Sequence, residues 1–325
     1  MKTTPFFALL ACIFIVFVVA GCAALTGKGA TAGRAIEPIV STDWLSANQN
    51  SKNLVIIDIR SPDAYGTGHI PGSINEPFVT AFDPCTGPTS KWISGSKDCL
   101  WLQLPDTNDL LATVGKLGIT IDSRVVIVTA PNPKEPPYFG LANATRVADT
   151  LIYAGVANVA ILDGGYPKWA AEQRSVNKQA SAVSAVAYQA EVNKAMFVPI
   201  DYVQKRLADA VIIDARDDVA YSGAVTEPFC KKPGHIPNAK SLPAPWIWNE
   251  NSPGIFTYKD SQTLRTMASA TFGDPGNQEI IVYCGVGGYA SSWWFALTQI
   301  LGYQNVKIYD GSAQEWAKHY DMVTK

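Results

Sequence analysis

Leu54-Val-Ile-Ile-Asp58-Ile-Arg60 and Ala210-Val-Ile-Ile-Asp214-Ala-Arg216 are one motif written twice. Each is a short β-branched run closed by Asp-x-Arg, and each is followed by a second shared motif, Gly68-His69-Ile70-Pro71 and Gly234-His235-Ile236-Pro237. A third pair comes later: Ile161-Leu162-Asp163-Gly164 with Trp169, and Ile308-Tyr309-Asp310-Gly311 with Trp316. The offset of roughly 150 residues is too long for a solenoid and has the length of a whole domain. Continuous apolar runs such as Val211–Asp214 and Ile280–Tyr283 fit strands buried on both faces of a parallel sheet. They alternate with helical patterns such as Ser261–Phe272 and Ala290–Leu301. The expected fold is therefore α/β, two copies of a central parallel sheet flanked by helices. The first copy spans residues 37–173, a linker 174–195, and the second copy 196–325.

Outside the repeat, residues 1–22 read as an export signal, one Lys followed by an apolar run and small residues. The ending Val19-Ala20-Gly21-Cys22 resembles the lipobox of bacterial lipoproteins. That resemblance implies removal of residues 1–21, a lipid on Cys22, and a flexible tether over 22–36 holding the fold at a membrane outside the cytoplasm. An uncleaved anchor is the alternative, since apolar and small residues continue to Leu25. Both place the domains where disulfides persist. Cys85 and Cys99 flank a short polar insertion and are a candidate disulfide, worth about 3 kcal/mol if unstrained; free thiols or different pairings are the alternative.

The composition excludes several classes. Of 325 residues, 47% are hydrophobic and 17% charged, enough apolar chain for a packed core. Lys and Arg total 26 against 28 Asp and Glu, with no basic block, so no nucleic-acid partner is expected. No cysteine pair has the Cys-x-x-Cys spacing of a zinc or redox motif, and neither a metal nor a cofactor is expected.

The chemistry is expected at Tyr283-Cys284-Gly285-Val286-Gly287-Gly288-Tyr289, where a strand runs into a helix. Open α/β sheets place ligands at such carboxyl ends. Glycines let successive N–H groups turn toward the Cys284 sulfur, favouring an anion there and lowering the thiol pKa. A buried structural cysteine is the alternative. In the first copy Ala130 stands where the second has Cys284, and the prolines from Pro131 to Pro137 deprive that loop of N–H donors.

With these motifs together, the chain resembles the two-domain rhodanese-like sulfurtransferases, over nearly everything from about residue 40 onward. The resemblance implies a catalytic Cys284 that takes sulfane sulfur from a small donor, thiosulfate or 3-mercaptopyruvate, as a persulfide. It passes the sulfur to a thiol or cyanide acceptor. It further implies substrate binding by Gly285, Val286, Gly287, Gly288, Tyr289 and Arg216, with the first domain inactive and shaping the cleft. Two departures bear on the donor: Gly285 and Val286 supply no charge after the cysteine, and Ala220 stands where relatives carry a second Arg. Arg216 is open to two readings, lining the site or holding the loop by an ion pair. Lys231 and Lys232 read as a solvated turn, while Trp246 and Trp248 read either as pocket walls or as core. Cys230 lies in an insertion that sets His235 21 positions after Asp214, against 11 from Asp58 to His69. It reads as a bystander thiol, with sulfur acceptance from Cys284 or a disulfide to it as alternatives. His69 and His235, present in both copies, read as structural.

Three functions compete with sulfur transfer. A phosphatase-like cysteine enzyme needs Arg six residues after the cysteine, and that position is Ala290. The second is a non-catalytic rhodanese-fold binding module. The third is a lipoprotein that handles persulfides or selenium compounds together with an exported redox system.

Overall fold

The computed structural model describes residues 1, 34–78, 85, 90–95, 98–133 and 136–324. The export signal, Cys22 and most of the tether fall outside these residues. Among the described residues no helix is long and apolar enough to cross a membrane.

Each repeat forms a parallel five-stranded sheet. The first contains β1 (Ile39–Val40), β2 (Leu54–Asp58), β3 (Ser73–Asn75), β4 (Arg124–Val128) and β5 (Asn158–Leu162), in the order β1-β5-β4-β2-β3. The second contains β6 (Phe197–Val198), β7 (Val211–Asp214), β8 (Lys240–Ser241), β11 (Ile280–Tyr283) and β12 (Val306–Tyr309), in the order β6-β12-β11-β7-β8. The orders are identical, so the sequence repeat is a repeat of topology. A small antiparallel hairpin, β9 (Trp248–Ser252) with β10 (Ile255–Tyr258), is an addition of the second copy. The apolar strands lie where their composition places them: every residue of β7 and β11 is buried.

The shared motifs are explained by one device. In the second copy Arg216 donates from Nε to Asp214 Oδ1 at 3.0 Å and from Nη2 to Asp214 Oδ2 at 2.6 Å. Its Nη2 also reaches the Gly234 carbonyl at 2.7 Å. Arg60 repeats this on Asp58 at 2.6 Å and on the Gly68 carbonyl at 2.9 Å. Asp-x-Arg is thus a clamp between a strand end and the Gly-His-Ile-Pro turn. The histidines complete the turn structurally: His69 Nδ1 donates to the Tyr65 carbonyl at 3.0 Å and His235 Nδ1 to the Tyr221 carbonyl at 2.8 Å. Each ring stacks on that same tyrosine.

The linker gains no regular secondary structure between Asn177 and β6. It is tied to the first domain by Val186 N–H donating to the Gly115 carbonyl and Tyr188 OH to the Ala154 carbonyl. Cys85 and Cys99 are joined by a disulfide.

The two domains pack through the helix Tyr138–Tyr153 of the first and the helix Gly288–Phe295 of the second. The latter is buried at every residue, as an all-round apolar helix must be. It passes into a π-helical turn at Ala296–Ile300 within the expected 290–301 segment. At this seam Arg146, with its side chain fully buried, donates from Nη2 to Asp310 Oδ1 at 2.7 Å and to the Leu102 carbonyl at 2.6 Å. Asp310 Oδ2 also accepts from Leu104 N–H at 2.9 Å. Asp163, the equivalent aspartate of the first copy, accepts from Tyr258 N–H of the second at 2.9 Å. Removing one partner of a buried pair leaves an uncompensated charge, so Asp310→Ala is expected to destabilise the protein by about 3 kcal/mol, read as a lowered urea midpoint.

Candidate active site

Cys284 follows β11 directly and opens the loop that becomes the helix Gly288–Phe295. Gly287 takes φ 102°, the left-handed region that favours glycine, and this turns its N–H onto the Cys284 sulfur at 3.0 Å. The N–H groups of Val286 and Ala290 bear on the same atom. Gly285 is required for a different reason. A side chain there would meet Phe229 Cε2 at 2.4 Å and Glu227 Oε2 at 2.8 Å, so the insertion of the second copy lies directly on the loop.

The thiol forms the inner wall of a cavity of about 430 Å³ between the domains. Gly285, Val286, Gly288 and Tyr289 line it as expected. Gly287 contributes its N–H to the sulfur without lining the cavity. The opposite wall comes from the first domain: Phe78, Trp101, Leu102, Asn132, Phe139 and Asn143. Two aromatic pairs close the seam, Trp101 with Phe229 at 6.4 Å between ring centroids and Phe139 with Tyr289 at 5.2 Å. The loop that replaces the cysteine loop in the first copy supplies Asn132 and leads into the helix that carries Phe139.

Several sequence expectations need correction. Arg216 does not line the cavity; it is 2% exposed and occupied by Asp214, Gly234 and Glu227. Its guanidinium is held far above the usual range by the carboxylates around it, although burial opposes this. The Cys284 thiol is pushed up, not down. Burial dominates, and the Glu227 carboxylate adds to it, against the lowering N–H groups of Ala290, Val286 and Gly287. Trp248 is core beneath Tyr138 and Tyr258, and Trp246 is exposed; neither walls the pocket. Lys232 agrees with the solvated turn expected there, pairing with exposed Asp321 at 2.8 Å and not lining the cavity. Cys230 is a free, buried thiol, so it forms no disulfide with Cys284. Burial and Glu227, whose Oε2 lies 3.7 Å from its sulfur, push it up to about 12.

What the sequence reading missed is the wall. Trp101, Leu102, Phe139, Glu227 and Phe229 converge from segments as much as a hundred residues and more apart, and only the length of the second-copy insertion signalled part of it.

A rhodanese-like domain model matches residues 41–172 and again 200–319, most of the chain. The chain belongs to the rhodanese-like family. Its relatives include a putative thiosulfate sulfurtransferase of Synechococcus elongatus, 29% identical over 292 residues, covering 88% of this chain and 84% of that protein. A putative thiosulfate sulfurtransferase of Mycolicibacterium smegmatis is 27% identical, covering 88% and 95%. The sulfur carrier protein TtuD of Thermus thermophilus is 26% identical, covering 86% and 93%. Among solved structures, the anaerobic ergothioneine biosynthesis enzyme of Chlorobium limicola, in complex with trimethyl histidine, superimposes with a TM-score of 0.72. It covers 88% of this chain and 70% of that one at 21% identity, which shows the shared fold.

In this tandem rhodanese, a thiol held above its ordinary pKa carries little thiolate at neutrality, and its thiolate fraction grows as pH rises. Alkylation of Cys284 by uncharged iodoacetamide is therefore expected to climb about tenfold per pH unit between about pH 7 and about pH 9. A plateau already reached near neutrality would contradict this.

Proposed function

We propose that the chain is a sulfurtransferase working outside the cytoplasm through a persulfide on Cys284. The Cys284 thiolate attacks the sulfane sulfur of a donor such as thiosulfate or 3-mercaptopyruvate. The donor's bond to that sulfur breaks, its electron pair leaves with sulfite or the enolate of pyruvate, and a Cys284 S–S bond forms. An acceptor thiolate or cyanide then attacks the outer sulfur, and the electron pair of the broken S–S bond returns to Cys284.

The observation that carries this reading is the Gly287 N–H donating to the Cys284 sulfur at 3.0 Å at the wall of a cavity, with the Val286 and Ala290 N–H groups also favouring the thiolate there. Such preorganised donors stabilise an anionic sulfur both as leaving group and as persulfide. The names of the curated relatives support the reaction class. The apolar segment ending at Cys22 supports export with a lipid anchor, and the disulfide between Cys85 and Cys99 is consistent with an oxidising compartment.

Exposure of the protein to thiosulfate, 3-mercaptopyruvate or polysulfide is expected to add one sulfur to its mass, removable by dithiothreitol. Cys284→Ala should abolish that gain and lower turnover at least about a thousandfold. Equal activity in the variant would leave the chain a binding module.

A further inference from the structure

The charge around Cys284 is of one sign. Among the described residues no lysine or arginine lines the cavity, and its one ionisable carboxyl is that of Glu227. Two guanidinium groups behind the loop are each paired with a carboxylate. Arg216 serves Asp214 and Glu227 together. Burial raises the Glu227 carboxyl above the usual carboxylate range and Arg216 works against this, so the trio is net negative once Glu227 ionises. Arg146 lies behind Gly287 and is bound to Asp310. The negative field is felt throughout the site: Glu227 contributes to raising the Cys284 and Cys230 thiols and the Tyr289 phenol. The rest of the lining is mostly aromatic and apolar, with Phe78, Trp101, Phe139, Phe229 and Tyr289 beside Asn132 and Asn143. Rings and a carboxylate together attract a cation and resist an anion.

We propose that Glu227 sets acceptor specificity, and that the sulfur acceptor of Cys284 is a cationic thiol whose positive group rests between Glu227 and the aromatic wall. This rests on the persulfide reading above. The step is a plain thiol exchange: the acceptor thiolate attacks the outer sulfur of Cys284–S–SH, the Cys284 S–S bond breaks with its pair on Cys284, and R–S–SH leaves. No oxidant or reductant is consumed. The same field acts on the donor, so an anionic donor such as thiosulfate loads Cys284 against it; the specificity argued here is that of the discharge step. Both Glu227 carboxylate oxygens lie against Gly285, the residue after the cysteine, and Glu227 lines the same cavity as Cys284.

The test uses the full chain loaded with polysulfide and freed of excess reagent. Discharge of the persulfide is followed in single turnovers with 2-aminoethanethiol, 2-mercaptoethanol and mercaptoacetate, three thiols of similar size and different charge. Rates are corrected to equal thiolate and divided by each thiol's rate with a small-molecule disulfide. The cationic thiol is expected to exceed the anionic one by at least about tenfold at low salt, and the ratio should shrink as salt is raised. In Glu227→Gln the ratio should fall to within about threefold. Any change this variant makes to the Cys284 sulfur itself moves all three rates together and leaves the ratio untouched, which separates specificity from a structural role. A wild-type ratio near one, or a ratio insensitive to both salt and Glu227→Gln, overturns the proposal. If the variant does not fold, the wild-type ratio and its salt dependence decide alone. If Cys284 takes up no sulfur, the persulfide reading fails. The charge preference is then read from modification of Cys284 by trimethylammonioethyl against sulfonatoethyl methanethiosulfonate, where equal normalised rates overturn it.

Discussion

The buried pair of Arg146 and Asp310 holds the site in being. Arg146 belongs to the helix Tyr138–Tyr153 of the first domain, and Asp310 to the Asp-Gly turn after β12 of the domain that bears Cys284. Because Asp310 also accepts from Leu104 N–H and Arg146 donates to the Leu102 carbonyl, the same pair anchors the segment that carries Trp101. Gln314 extends the seam, its side chain exchanging hydrogen bonds with the N–H and carbonyl of Trp101 at 2.9 Å each. A cavity wall drawn from one domain and a nucleophile drawn from its neighbour need a fixed relation between the two, and this seam supplies it.

At the sulfur itself two effects oppose each other. Burial penalises the thiolate, and the loop N–H groups reward it; for the resting thiol burial prevails. That balance suits a nucleophile that meets its substrate before it ionises fully. It also keeps Cys284, 3% exposed, from reacting with every passing electrophile. Cys230, deeper in the field of Glu227, is held further from ionisation still.

The fold was legible because its strands announce themselves locally. Runs such as Val211–Asp214 are apolar throughout since both faces of a parallel strand are covered, and writing the pattern twice doubled the signal. The cysteine loop was legible for a similar reason: Gly287 marks a backbone angle that most residue types resist. The wall was not. Trp101 and Phe229 carry no local mark of sharing a cavity, because their meeting is decided by the docking of two domains. The same is true of the thiol pKa. Gly-rich sequence foretold the donors that lower it, whereas the burial that raises it depends on the first domain lying overhead. Arg216 illustrates a third limit. Its spacing from Asp214 could be read, but the Gly234 carbonyl and Glu227, which it also binds, come from a turn and an insertion that only folding brings to it.

The aspartate of the Asp-Gly turn reaches across the seam in both directions, Asp310 to Leu104 and Asp163 to Tyr258. Two halves descended from a common ancestral unit have thereby become mutual chaperones. The first half also covers the cysteine of the second, since Phe78, Trp101 and Phe139 line the cavity that holds Cys284. Once each had taken over one of its twin's backbone bonds, the duplication ceased to be a spare and became a one-way ratchet.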